Sequence, residues 1–144
     1  GVTRWQKWIL QRYEKLGYVE TLSGRRRHAP MTMNAALNAS IQGFASDICV
    51  DAMCRLDRLG IQTVMQIHDD VTSYVKDSEL EAVLELIAEQ MCLVPYPCIN
   101  VPIAVEISVG PNWFDQEPVG TFKSTDFHKV PRKLQDFTKL YDVY

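Results

Sequence analysis

The stretch VMQIHDDVTSYV (Val64–Val75) sets one His and two adjacent acids, His68-Asp69-Asp70, between two runs rich in β-branched residues. Val64, Ile67, Val71, Thr72, Tyr74 and Val75 favour strand. Residues 61–67 and 71–76 therefore read as two short strands, with His68-Asp69-Asp70 at the bend. Neighbouring carboxylates repel and shift each other's pKa, and a divalent cation relieves that repulsion. Mg²⁺ takes oxygen ligands, usually one or two carboxylates together with substrate phosphates. Two-metal phosphoryl transfer uses acids that bridge ions about 3.5–4 Å apart. The pattern suits that chemistry; taken alone, it also suits a solvated acidic turn. The strand-forming neighbours argue against a helical His-Asp metal hydrolase motif.

Upstream lies the longest periodic segment, roughly residues 32–59. Leu37, Ile41, Ala45, Ile48, Ala52, Leu56 and Leu59 step by three or four, which predicts a helix with a buried stripe. Gly43 inside it costs about 1 kcal/mol relative to Ala, so close approach to the backbone is expected there. Gly60 closes the helix. Residues 3–16 predict a first helix stopped by Gly17, and YVETLSGRRRHAP predicts an extended hairpin turning at Ser23-Gly24. Downstream of the acids, Ser78 and Glu81 have capping-box spacing, and Leu80, Leu84, Ile87 and Met91 form the apolar face of another helix. VPYPCINVP is a proline-broken loop, IAVEISV alternates as a strand, and GPNW turns the chain. The remainder shows no clear period.

Two polar groups accompany the acids. Asn34, Asn38 and Gln42 are spaced by four and share a helix face. Amides donate and accept, so they can read minor-groove acceptors common to all base pairs. Arg25-Arg26-Arg27 places guanidinium forks, which suit phosphates, in a turn. Each alone also reads as ordinary solvated surface.

Composition sets the outer limits. With 144 residues, 47% of them hydrophobic and 23% charged, the chain can bury a core. Net charge is −3, so any anion binding must come from local patches, such as SGRRRHAP and FHKVPRKL. Cys49, Cys54, Cys92 and Cys98 form no CxxC pair and read as reduced, mostly buried thiols. No apolar run approaches the ~20 residues of a membrane span, so no membrane partner is expected. The opening GVTRWQKWIL is amphipathic without a cleavage site, and the expected location is cytoplasmic.

GYVETLSGRRRHAP, ALNASIQGFASDI, MQIHDD and VEISVGPNW, in this order and spacing, resemble the C-terminal part of family A DNA polymerases, the bacterial polymerase I and phage group. The resemblance covers residues 1–113 and implies an α+β fold: a partial palm, whose antiparallel strands include a catalytic hairpin packed by helices, plus the end of the fingers. Residues 114–144 depart from the family; Lys123, Lys129, Arg132, Lys133 and Lys139 alternate there with aromatics, which suits either a tail that docks on a partner or on DNA or plain disorder.

By that resemblance, Asp69 matches the palm carboxylate that holds the catalytic Mg²⁺ ions, and His68 the histidine near the primer end. Asp70 stands where the family usually has Glu. Asn38 and Gln42 match the amides on the template–primer minor groove, while Asn34 stands where the family often has Arg. Arg25 and Arg26 match the arginine pair after the glycine turn, and would bind phosphate or brace the palm. The family's other metal-binding Asp and its triphosphate-binding helix are not among these residues. The resemblance thus implies the C-terminal subunit or fragment of a split DNA polymerase. Its partners would be template–primer DNA, dNTP and a larger chain that completes the two-metal site. A fragment of a single-subunit RNA polymerase, or a non-catalytic nucleic-acid-binding palm module, are the alternatives.

Overall fold

The computed structural model describes residues 1–93 and 95–126. The chain folds as α1 (Val2–Leu16), β1 (Tyr18–Glu20), β2 (Arg26–His28), α2 (Met33–Arg58), β3 (Thr63–Ile67), β4 (Asp70–Ser73), α3 (Leu80–Cys92), β5 (Ala104–Val109) and β6 (Glu117–Lys123). The described strands form three separate two-stranded sheets, β1–β2, β3–β4 and β5–β6. No described helix is long and apolar enough to cross a membrane. The chain divides into two compact units, one of Gly1–Asp51 with Ile67–Asp70, the other of Ala52–Gln66 with the residues from Val71 onward.

In the first unit α1 ends as its sequence predicts. Gly17 adopts φ 73°, and its N–H donates to Tyr13 O at 2.8 Å, satisfying a carbonyl that the helix leaves open. The Tyr13 hydroxyl also accepts from Met31 N–H at 2.8 Å, which ties α1 to the chain entering α2. Ile9, Val19 and Ala36 form the buried centre, with Trp5, Leu10, Tyr13, Met31, Leu37 and Ala39 packed around them. Trp5 and Ile9 thus find apolar cover within the unit, whereas Trp8 stays half exposed beneath the Arg12 guanidinium, 5.0 Å from its ring centroid.

Helix α2 starts at a cap the periodicity did not reveal. Thr32 Oγ1 accepts from Ala35 N–H at 3.2 Å, and Thr32 O accepts the first helical bond, from Ala36 N–H. The predicted apolar stripe is offset in its first half. Ile41 and Ala45 are exposed, and the buried positions are Ala36, Phe44, Cys49, Ala52 and Leu56. Ala36 is fully buried there because it packs in the cluster with Ile9 and Val19.

In the second unit α2 ends in a Schellman arrangement. Ile61 N–H donates to Leu56 O and Gly60 N–H to Asp57 O, both at 2.9 Å, with Gly60 at φ 77° and both Leu56 and Ile61 buried. Arg55 Nη2 reaches the C-terminal carbonyls of α3, donating to Gln90 O at 2.9 Å and Leu93 O at 2.8 Å. A cation there satisfies open carbonyls and complements the helix dipole. The expected capping box at Ser78 and Glu81 does not form. A 3₁₀ turn over Asp77–Glu79 precedes α3, whose start has no side-chain cap. Helix α3 packs on β5 and β6, burying Ala88, Cys92 and Ile107.

Strand β6 is a finding the sequence did not foretell, since Pro118 and Gly120 look like breakers. It pairs antiparallel with β5 from Ala104↔Lys123 to Val109↔Glu117, and the register shifts by one after Ile107↔Gly120, so that Val119 has no partner. That shift accommodates the proline. Ser124 then closes the ribbon: its N–H donates to Ile103 O at 2.9 Å, and its Oγ accepts from Ile103 N–H at 3.2 Å. Of the expected docking tail, residues 127–144, with Lys129, Arg132, Lys133 and Lys139, lie outside the described residues. The thiols divide evenly: Cys49 and Cys92 are buried, Cys54 and Cys98 are exposed, and none of the four is in a disulfide.

Candidate nucleic-acid interface

The β1–β2 hairpin and the first half of α2 enclose a cleft of about 430 Å³. Val19, Thr21, Arg25, Arg26 and Arg27 line it from the hairpin; Ala35, Asn38, Ala39, Gln42 and Gly43 line it from the helix. Two of the three amides, Asn38 and Gln42, therefore share one concave surface with the arginines, while Asn34 does not line it. Asn34, Asn38 and Gln42 are all exposed on α2.

The cleft is held by Asp47. Its carboxylate pairs with Arg25 Nε at 2.6 Å and accepts from Thr21 Oγ1 at 2.8 Å and from Ser23 Oγ. Arg25 Nη2 also donates to Gly43 O at 2.7 Å. Gly43 is a glycine for the reason its sequence suggested. A Cβ there would stand 3.0 Å from Thr21 Cγ2 and 3.3 Å from Arg25 Nη2. The turn that brings the hairpin in is Ser23-Gly24, with Gly24 at φ 93° and its N–H on Thr21 O. Asp47 carries no motif of its own in the sequence. Its position one helical turn beyond Gly43 is the signal that would have found it.

The three arginines have different surroundings. Strand alternation puts Arg26 opposite Glu20, and Arg26 Nε meets Glu20 Oε2 at 2.5 Å. Its guanidinium also lies 4.7 Å from the Tyr18 ring centroid. The hydrogen bond to Glu20, with the nearby Tyr18 and the Glu20 charge, raises the already high Arg26 pKa. Arg25 is the brace just described. Arg27 stands opposite buried Val19 and is exposed, and its side chain has no ion pair or hydrogen bond among the described residues.

The acids lie at the tip of the β3–β4 hairpin. His68 and Asp69 form the turn, with His68 at φ 57°, and all three residues of His68-Asp69-Asp70 are exposed. A positive φ at the first central residue alone belongs to the turn family that matches hairpin twist. Asp70 is not part of the bend, as the sequence had suggested, but is the first residue of β4. The tip, Ile67–Asp70, belongs to the same compact unit as the cleft. Among the described residues no three His, Cys, Asp or Glu side chains gather as a metal site. What the tip offers is a pair of adjacent, solvent-facing hard oxygen donors, which is the partial ligand set Mg²⁺ usually takes from protein.

The sequence model of DNA polymerase family A matches residues 1–115. This chain belongs to DNA polymerase family A. The chain is 35% identical to DNA polymerase I of Deinococcus radiodurans over 130 residues, 80% of this chain and 13% of that protein. It is 34% identical to the thermostable DNA polymerase I of Thermus aquaticus over 127 residues, 78% of this chain and 15% of that protein. Among solved structures, the polymerase domain of Pol1 from M. smegmatis, in complex with DNA primer-template and dNTP, aligns with a TM-score of 0.53 and 28% identity. That alignment covers 63% of this chain and 19% of the other. This family A chain thus spans about one seventh of the length of these curated relatives, and its helices and small antiparallel sheets are similar to part of a polymerase domain.

Proposed function

We propose that the chain forms the C-terminal palm and the end of the fingers of a split family A DNA polymerase, and acts in template-directed nucleotidyl transfer with a larger polypeptide. The observation that carries this reading is the family match over residues 1–115, within which one compact unit contains both the amide-lined cleft and the His68-Asp69-Asp70 tip.

In this reading the cleft takes the duplex end of a template–primer. Asn38 and Gln42 donate to minor-groove acceptors, which bases of either pair present alike. Arg25 braces the hairpin on α2 and keeps the cleft in shape. Asp69, at the turn, supplies a carboxylate to Mg²⁺, and the larger chain supplies the other acid. When bound, the ions neutralise charge on the transferring phosphoryl group and lower the pKa of the attacking hydroxyl. His68, beside Asp69, orients the primer terminus. Asp70, on the strand, orders the tip.

Primer extension by the chain, alone and mixed with a larger family A polypeptide, tests the reading. Incorporation of dNTPs by the mixture supports it. Incorporation of rNTPs instead points to an RNA polymerase, and duplex binding without incorporation in any mixture points to a non-catalytic module.

A further inference from the structure

We propose that Arg27, rather than Arg25 or Arg26, is the residue of this cleft that binds a backbone phosphate of duplex DNA. The inference rests on the reading of the cleft as a duplex-binding surface and assigns its phosphate contact.

Three consecutive arginines look equivalent in sequence, but the hairpin separates them. Arg25 has spent Nε on Asp47 and Nη2 on Gly43 O. Binding a phosphate through those groups would leave the Asp47 carboxylate facing the same anion. Arg26 has its charge compensated by Glu20 at 2.5 Å, and its guanidinium lies against the Tyr18 ring. Arg27 has neither constraint. Strand pairing sets it opposite Val19, whose buried side chain belongs to the unit's core, so the backbone of Arg27 is fixed while the residue is exposed and lines the cleft. The helix wall of the same cleft carries Asn38 and Gln42. A minor groove is only about 6 Å wide, so amides inserted at its floor lie beside the phosphates along its edge. An uncompensated guanidinium on the facing wall is placed for such a phosphate, which it can hold through two parallel N–H donors.

The experiment is the salt dependence of binding of a fluorescent primer–template duplex to the 144-residue chain. Each phosphate contact contributes about 0.9 to the slope of log K against log salt concentration. Arg27→Ala is expected to reduce the slope by about 0.9. A fourfold rise in salt then costs the variant about 3.5-fold less affinity than it costs the wild type. Arg27→Lys, which keeps the charge, restores the slope, and the thermal midpoint of both variants stays at the wild-type value because Arg27 is exposed. An unchanged slope in Arg27→Ala, with the slope reduced instead in Arg25→Ala or Arg26→Ala, overturns the assignment and leaves the cleft reading standing. Failure of the wild-type chain to bind the duplex at any salt concentration overturns both.

Discussion

Arg25 Nε lies 2.6 Å from Asp47 Oδ1, while Oδ2 of the same carboxylate accepts from Thr21 and Ser23. One acid on α2 thus gathers three donors from the β1–β2 turn. The Asp47 side chain is only 13% exposed, so its loss leaves Thr21, which is buried, without its charged acceptor. Asp47→Ala is expected to lower stability by about 2 kcal/mol. The Arg25 pair itself contributes little of this, because the arginine is more than half exposed and screened. Asp47→Asn, which still accepts hydrogen bonds, should lose roughly half as much. Chemical denaturation measures both, and equal losses would mean that the charge rather than the hydrogen bonds holds the turn.

Gly43→Ala sets two known effects against each other. Alanine gains about 1 kcal/mol of helix propensity over glycine. The new methyl would stand 3.0 Å from Thr21 Cγ2, and Thr21 cannot easily yield because Asp47 and Ser23 hold it. Overpacking of this kind costs about 1–3 kcal/mol, so the net change is destabilising. Adding Thr21→Ser removes the offending methyl and keeps the hydroxyl. The double variant should therefore be more stable than Gly43→Ala alone, and a denaturation cycle over the four proteins reads the coupling directly.

These contacts show what the sequence made legible. Gly17, Gly24 and Gly60 announced their turns because a positive φ is a local requirement. Gly43 announced a close approach because glycine inside a helix otherwise has no local reason. The apolar stripe of α2 holds at Leu37, Ala52 and Leu56 and fails at Ile41 and Ala45. Ile41 looks like core, yet it is exposed while Ala36 is fully buried, because Ala36 is the residue that packs with Ile9 of α1 and Val19 of β1. Strand β6 was hidden by Pro118 and Gly120, whose tolerance depends on pairing with β5, a partner distant in sequence. The different fates of the three arginines were equally invisible. They follow from which residues of β1 stand opposite β2.

In the reconstituted enzyme, Asp69→Asn should abolish nearly all nucleotide incorporation and leave duplex binding in place, because it removes charge that two metal ions need. Asp70→Asn should be milder. Asp70 begins β4, whereas Asp69 lies in the turn, and the proposed reading gives the metal ions to the turn residue. Single-turnover incorporation separates them. A larger loss in Asp70→Asn would assign the metal-binding role to the strand residue.

Asn38→Ala and Gln42→Ala should weaken extension on all template sequences about equally. Minor-groove acceptors are shared by A·T and T·A pairs, and the groove as a whole distinguishes bases poorly. Steady-state extension on templates of differing composition tests this, and a loss confined to particular base pairs would remove both amides from the groove.

The last prediction is that the chain extends primers only in a stable complex with a larger polypeptide. Strand β3 carries Val64, Met65 and Ile67, all more than a third exposed, and Tyr74 just beyond β4 is 85% exposed. Among the described residues β3 and β4 pair only with each other, so each presents an outer edge. A strand edge with apolar side chains on both faces recruits another strand or a covering surface. The tip of this same hairpin holds the proposed metal ligand, so a strand added at its edge would set a second acid close to Asp69. Permanent complexes of this kind bury above ~2,000 Å². Docking by the C-terminal tail is best separated by truncation after Asp126, because a cut after Gly120 would break β6 and the Ser124 closure. The measurement is the mass in solution of the chain with and without the larger polypeptide, together with dNTP incorporation. Incorporation is expected only in the fraction that contains both, and Val64→Lys on the exposed strand should reduce the complex and the activity in parallel. A cooperatively folded monomer that extends primers unaided would refute the split-enzyme reading.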